Sequence, residues 1–182
     1  MYDEAAAEVL TFWFEDIDPS RWFVADPEFD RQLAQRFGER LRQAMRGELD
    51  TWAETARGWL ALIVVLDQFS RNIHRGERQA FEADAKALSL TLEGIERSYD
   101  LELSLEERSF SYLPLRHAED LAMQQLGLEK TRALNAAGYG SDKYALGHLA
   151  TIERFGRFPH RNAVLGRPNT PEEEAFLARR AS

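Results

Sequence analysis

The spacing of large apolar residues limits the possible folds most strongly, because such residues recur every three or four positions along most of the chain. The clearest run consists of Phe29, Leu33, Phe37 and Leu41. An α-helix makes one turn in about 3.6 residues, so this spacing places all four side chains on one helix face. Asp26 and Pro27 are typical of a helix start, and Gly47 is typical of a helix end. The segment 26–47 is therefore predicted to be an amphipathic helix.

Similar periodicity and capping patterns predict helices in most of the remaining chain. The further segments are 3–15, 55–69, 77–97, 104–112, 116–137, 141–155 and a last helix that starts at residue 170. Pro114 is expected to cause a break or kink between the fifth and sixth of these predicted helices. The buried face of the fourth helix is expected to consist of Phe81, Ala85, Leu88 and Leu92. No Asn-Gly or Asp-Gly hairpin signal occurs. The chain is therefore predicted to be one all-α domain, residues 1–182, of seven to eight helices.

One pattern, Arg-Asn-x-x-x-Gly, occurs twice, at 71–76 and at 161–166. An Ala-Phe pair follows each copy, at 80–81 and at 175–176. If the two copies mark an internal repeat, the helices stack as antiparallel pairs in a short solenoid. A chance match of this length is the alternative.

Four segments together resemble a known family: Phe-Trp-Phe at 12–14, Leu-Asp-Gln-Phe-Ser-Arg-Asn at 66–72, Tyr-Leu-Pro-Leu-Arg-His-Ala-Glu-Asp at 112–120 and Arg-Phe-Gly-Arg-Phe-Pro-His-Arg-Asn at 154–162. They look like the bacterial family called domain of unknown function 924, over about residues 8 to 177. The resemblance implies a tetratricopeptide-like, right-handed array of antiparallel helix pairs and no established reaction. The family usually has a Phe-Met or similar pair and a Ser where this chain has Leu115-Arg116 and Ala118.

Composition and missing motifs exclude several classes of function. The chain has no Cys, which excludes disulfides, thiolate metal sites and cysteine nucleophiles. Motifs for phosphate loops, dinucleotide binding, zincin proteases and serine hydrolases are absent from the sequence. No cofactor is therefore predicted. The net charge of −8 opposes nucleic-acid binding. No apolar stretch approaches ~20 residues and the acidic start lacks the basic region of a signal peptide, so no membrane contact and a cytoplasmic location are expected.

The densest group of positive charges lies between residues 154 and 167. It consists of Arg154, Arg157, His160, Arg161 and Arg167, without an acidic residue among them. Such a group needs anions. They could be internal, with Asp67, Glu119 or Asp120 completing a structural network of ion pairs. The alternative is an external carboxylate or phosphate bound in a pocket between helices.

A second polar group consists of Asp67, Gln68, Arg71 and Asn72. Asp67 and Arg71 are four residues apart and could pair with each other on a helix surface. However, the group follows one of the most apolar runs of the chain, which indicates partial burial. Buried polar groups need partners, and a binding pocket with convergent partners is the alternative interpretation.

His117 lies one helical turn before Asp120. A histidine beside a carboxylate can act as a general base, with the carboxylate fixing its tautomer. An ordinary helix-capping pair is the alternative. A metal site formed by His117, Asp120, His148 and His160 would lack any diagnostic spacing, so no metal site is predicted.

These residues lead to two functional hypotheses. In the first, the protein binds a small anionic ligand, and the predicted ligand-binding residues are Asp67, Gln68, Arg71, Asn72, Arg154, Arg157, Arg161 and Asn162. If acid–base chemistry occurs, His117 or His160 moves the proton and Glu119 or Asp120 orients that histidine. In the second, a tetratricopeptide-like interaction module grips a peptide or its terminal carboxylate with the same Arg and Asn residues. No particular oligomeric state is predicted.

Overall fold

The computed structural model describes residues 3–181, and within that range the backbone forms helices and no strand. The α-helices are α1 (Glu4–Thr11), α2 (Pro27–Met45), α3 (Ala56–Ile63), α4 (Ser70–Ile73), α5 (Asp84–Glu96), α6 (Leu105–Ser111), α7 (Leu113–His117), α8 (Leu121–Ala136), α9 (Lys143–Phe155), α10 (Asn162–Leu165) and α11 (Pro171–Ala181). Short 3-10 turns connect several of them, for example at Arg78–Phe81 and Pro159–Arg161. The all-α class is confirmed.

Two π-helical turns extend these helices. Phe12–Asp16 continues α1, and Val64–Phe69 joins α3 to α4, so residues 56–73 form one continuous helix. The wider hydrogen-bonding pattern of a π turn disturbs the regular bonding of its carbonyl groups. Here the Ser70 hydroxyl donates to the Leu66 carbonyl at 2.6 Å, and Arg71 donates to the Asp67 carbonyl at 2.9 Å. The apolar run in this segment is therefore helical, as predicted, but it contains a π turn that its pattern did not indicate.

The predicted capping residues begin their helices. The Asp26 carboxylate accepts hydrogen bonds from the backbone N–H groups of Glu28 and Phe29 at the start of α2. Ser104 and Glu107 form the reciprocal capping box of α6. These polar side chains satisfy the free N–H groups of the first helical turn, and local sequence alone is enough to specify them.

The helix predicted over 116–137 is two helices. The chain ends α7 at His117, Ala118 has extended backbone with ψ of 135°, and Asp120 caps α8. The expected interruption at Pro114 is present: α6 ends at Ser111 and α7 begins at Leu113, with Pro114 in its first turn, where no N–H donor is needed. His117 therefore ends α7 and does not belong to the helix that Asp120 caps.

The fourth predicted helix begins later and buries another face than expected. It starts at Asp84, after the 3-10 turn, and its buried residues are Ala87, Leu90, Thr91 and Gly94. Leu92, expected in the core, is exposed. The buried face follows from the packing of α5 against α3: the Trp59 indole lies directly over Gly94 and donates to the Leu90 carbonyl at 2.5 Å.

The main core surrounds α3 and the π turn that follows it. Helices α1 and α5 pack against α3, α2 packs against the π turn, and α8 pairs with α9. Trp13, Phe37, Trp59 and Phe69 are the largest fully buried side chains of this core. A tetratricopeptide-like arrangement of the helices stays a prediction.

The close contact at Gly94 gives a first testable prediction. A Cβ atom at residue 94 would overlap the Trp59 indole. We expect Gly94→Ala to lower the free energy of unfolding by about 2 kcal/mol, since overpacking a core typically costs that much. The midpoint of thermal unfolding should fall by roughly 4–8 °C. Gly147→Ala is the matched control, because a Cβ there meets nothing within 4 Å on α9. An equal midpoint for the two variants would contradict the prediction.

Candidate functional site

Asp67 is a buried carboxylate in the π turn between α3 and α4. Its side chain is 1% exposed. One oxygen lies 2.7 Å from Nδ1 of His117 and 3.1 Å from the Arg71 guanidinium, and the other accepts from Gln68 at 2.6 Å. Burial alone would raise the pKa of Asp67, but the Arg71 and His117 groups outweigh it and hold that pKa well below its usual range. Asp67 is therefore ionised at neutral pH.

His117 is a neutral imidazole at the end of α7. Burial, together with the Arg71 charge, lowers the pKa of His117 to about 4, despite the opposing effect of Asp67. Because Nδ1 faces a carboxylate, it carries the proton and donates to Asp67. Nε2 then has the lone pair, and it has no hydrogen-bond partner among residues 3–181. This arrangement is that of a general base oriented by an acid.

His117 lines two cavities. The first, of about 470 Å³, is lined by rings and is named here the aromatic cavity. Its rings are Trp22, Phe23, Phe110, Tyr139, Tyr144 and His148. The second, of about 410 Å³, is named the acidic cavity. Its charged lining residues are Asp67, Glu82, Asp84, Glu119, Asp120 and Arg161.

Arg116 lines the aromatic cavity without an ion-pair partner. Within the described chain, no carboxylate lies within 4.0 Å of its guanidinium, and its Nε is buried without an acceptor. Burial lowers the pKa of Arg116, yet a guanidinium stays charged at any ordinary pH. A partly buried positive charge without a counter-ion is costly, and a ligand carboxylate would relieve that cost. The aromatic cavity is therefore suited to an apolar acid.

His148, on α9, is a second neutral histidine in the aromatic cavity. Its Nδ1 lies 3.1 Å from the Arg116 carbonyl oxygen, and its ring centroid is 6.5 Å from that of His117. Burial and then the Arg116 charge lower the pKa of His148 to about 4. Two uncharged imidazoles and one guanidinium thus share this cavity.

The acidic cavity is less suited to an anion. Five of its lining side chains are carboxylates, and Arg161 is the cation among them. Arg161 is held in place: its guanidinium lies 4.7 Å from the ring centroids of Phe81 and Phe158 and donates to the His117 carbonyl at 2.9 Å. Burial, then the Arg71 charge, lowers the pKa of Arg161 to about 10. Arg161 thus fixes the backbone of His117.

The other predicted arginines bind acidic residues of α11. Arg154 pairs with Glu172 at 2.6 Å and Arg157 with Glu173 at 2.7 Å. These contacts agree with the internal ion-pair alternative, although the carboxylates belong to α11 rather than to Asp67 or Asp120.

Glu119 and Asp120 do not contact His117. Glu119 pairs with Arg167 at 2.6 Å and accepts from the backbone N–H of Phe158. Asp120 accepts from the backbone N–H of Met123 and caps α8. The expected orienting role of these two carboxylates is therefore corrected: the break after α7 turns His117 towards Asp67, which lies fifty residues earlier in the chain.

Three further predicted residues lie outside the two cavities. Asn72 donates to Asp30 at 2.8 Å, and Asn162 donates to Asn169 at 2.8 Å. His160 packs against the Phe158 ring and lines neither cavity. The structure thus brings Gln68, Arg71 and His117 together around the Asp67 carboxylate and places Arg161 on the backbone of His117. The remaining predicted residues lie in separate contacts.

Arg116 and His148 are the residues that sequence reasoning did not select as binding groups. Arg116 appeared as a departure from the resemblance, where an apolar residue is usual, and that departure was the available signal. His148 lies four residues after Tyr144 and four before Ile152, so it belongs to a helical stripe of α9. A polar residue within such a stripe indicates a buried imidazole.

Residues 3–181 contain no cluster of three or more His, Asp or Glu side chains arranged to hold a metal ion. Within the same range, no helix has both the length and the hydropathy to cross a bilayer.

Comparisons with known proteins agree with the helical architecture. The sequence model of a family described as "Bacterial protein of unknown function (DUF924)" matches residues 9–181. A solved structure, that of the protein of unknown function ATU0120 from Agrobacterium tumefaciens, is 41% identical and superposes with a TM-score of 0.88. The alignment covers 96% of this chain and 97% of that one. No curated protein matches the chain.

Proposed function

The chain belongs to the family of bacterial proteins of unknown function DUF924, and within that family we propose that it binds a small apolar carboxylic acid beside an acid–base histidine. Arg116 would bind the carboxylate, the aromatic cavity would hold the apolar part, and His117 would exchange a proton with the ligand. Asp67 holds His117 in the tautomer that this role needs.

The proposal is carried by one observation: the aromatic cavity is lined by a guanidinium without an acidic partner and by an imidazole without a donor for its Nε2. The Arg116 guanidinium has no acidic partner among residues 3–181. The next residue in the chain, His117, has an Nε2 atom without a hydrogen-bond donor in the same range. Two other arginines of the predicted site, Arg154 and Arg157, are paired with carboxylates. A pocket that combines apolar walls with a few unpaired polar groups is the usual form of a small-molecule site.

The direct test is titration calorimetry with 3-phenylpropanoate, an apolar carboxylate that fits the cavity chemistry. We expect Arg116→Gln to raise the Kd at least about tenfold, because a hydrogen-bonded charge contributes roughly 1.5–3 kcal/mol. Arg42→Gln is the control, since Arg42 pairs with Glu39 on an exposed face of α2. The proposal fails if the parent protein does not bind the acid or if Arg116→Gln binds it equally well.

The mouth of the aromatic cavity favours a second candidate, a module that binds the carboxyl terminus of a peptide. Phe23 and Tyr144 line the cavity and are 73% and 72% exposed. Exposed aromatic side chains around a pocket are typical of interaction surfaces. The tripeptide Gly-Gly-Phe distinguishes the candidates: binding about tenfold tighter than that of 3-phenylpropanoate, and lost in the C-terminal amide, would favour the interaction module.

A further inference from the structure

Both histidines that line the aromatic cavity have one ring nitrogen that no described residue contacts by a hydrogen bond. Nδ1 of His117 faces the Asp67 carboxylate at 2.7 Å, and Nδ1 of His148 faces the Arg116 carbonyl oxygen at 3.1 Å. Each of these partners accepts a hydrogen bond and cannot donate one, so each imidazole carries its proton on Nδ1. Each Nε2 is therefore a hydrogen-bond acceptor, and neither has a partner in the part of the chain that the structure describes.

A plain carboxylate would leave these acceptors unpaired. At neutral pH a carboxylate only accepts hydrogen bonds, so it satisfies Arg116 and offers nothing to the Nε2 atoms of His117 and His148. Polar groups that lose water without gaining a partner weaken binding. A ligand that fits this cavity well should carry a donor close to its carboxylate.

The donor is a hydroxyl group rather than an ammonium group. Arg116 lines the aromatic cavity together with both histidines, and its guanidinium has no carboxylate within 4.0 Å in the described chain. Its unpaired positive charge repels a ligand ammonium group in the same cavity. A neutral hydroxyl group donates a hydrogen bond without that repulsion.

We propose that the aromatic cavity is specific for aromatic 2-hydroxy acids, with Arg116 binding the carboxylate and Nε2 of His117 accepting a hydrogen bond from the hydroxyl group. This inference rests on the proposed function and adds the class of ligand to it. His117 is chosen over His148 because the Asp67 carboxylate strengthens His117 as an acceptor.

The experiment compares three acids that differ only at carbon 2: 3-phenylpropanoate, 3-phenyllactate and phenylalanine. In calorimetric titrations of the full chain at pH 7.5, we expect 3-phenyllactate to bind at least about tenfold tighter than 3-phenylpropanoate. Phenylalanine should bind no tighter than 3-phenylpropanoate. In His117→Gln, the advantage of 3-phenyllactate should fall below about twofold.

A measurement on the unaltered protein complements the variant, in case His117→Gln does not fold. The ¹⁵N resonance of His117 Nε2 should shift when 3-phenyllactate is added and stay in place with 3-phenylpropanoate. Equal affinities for these two acids, tighter binding of phenylalanine or an unmoved resonance would overturn the inference. If 3-phenylpropanoate still binds and Arg116→Gln weakens it, the carboxylate site stands without the hydroxyl specificity. If none of the three acids binds, both fall.

Discussion

Asp67→Asn is expected to lower the free energy of unfolding by about 3 kcal/mol, because it removes the negative charge from a buried ion pair. Asp67 is 1% exposed and contacts both Arg71 and His117. Without the carboxylate, the Arg71 guanidinium loses one of its two acidic partners in a buried setting. At roughly 2–4 °C per kcal/mol, the midpoint of thermal unfolding should fall by about 6–12 °C.

The matched control for this variant is Asp50→Asn. Asp50 pairs with Lys86, but its side chain is 56% exposed, and pairs at the surface contribute less than about 1 kcal/mol. Similar midpoints for the two variants would contradict a buried ion pair at Asp67. Because the pKa of Asp67 is lowered by folding, its contribution to stability is present above pH ~4 and is lost as the pH falls further.

The second large effect is the dependence of stability on pH, to which His117, His148 and His160 contribute, since folding lowers the pKa of each to about 4. Folding lowers the pKa of His117 from 6.5 to about 4. Between these pH values the unfolded chain binds a proton that the folded chain does not, so acid favours unfolding. We expect the free energy of unfolding to fall by about 3 kcal/mol between pH 7 and pH 4 from this residue. His148, whose pKa is also lowered to about 4, acts in the same direction.

Urea denaturation at a series of pH values measures this effect. His117→Gln should reduce the pH dependence between pH 6.5 and pH 4, and it should reduce it more than His74→Gln does. His74 lies in the turn after α4 and lines neither cavity. A parent protein whose stability is constant from pH 7 to pH 4 would show that His117 is not held in its neutral form.

Local sequence patterns predicted those parts of the fold that local interactions determine. The spacing of four from Phe29 to Leu41 and the caps at Asp26 and Ser104 specify their helices within a few residues. The buried face of α5 could not be predicted in this way. Its position depends on the contact between Gly94 and Trp59, which lie 35 residues apart in the chain.

For the candidate site, sequence predicted the chemistry better than the pairing. Asp67, Arg71, His117 and Arg161 were selected, and the structure places them in contact around one carboxylate or the backbone beside it. The partner of His117 was expected at Asp120, one turn away. It lies instead in the π turn, because α7 ends at His117 and the extended backbone at Ala118 separates His117 from α8. Such a pairing depends on tertiary structure and leaves no trace in residue spacing.

The π turn at Val64–Phe69 has a consequence for how this segment can evolve. A π turn holds one residue more than an α turn, so deletion of a single residue would restore regular α-helical bonding without breaking the helix. Each residue advances an α-helix by about 100°, and everything downstream would rotate by that angle relative to α3. Arg71 would lose Asp84, and Asn72 would lose Asp30. A substitution in this segment changes the contacts of one side chain. Deletion of one residue would change all the contacts of α4 at once. The length of this segment, more than its composition, is what selection must preserve.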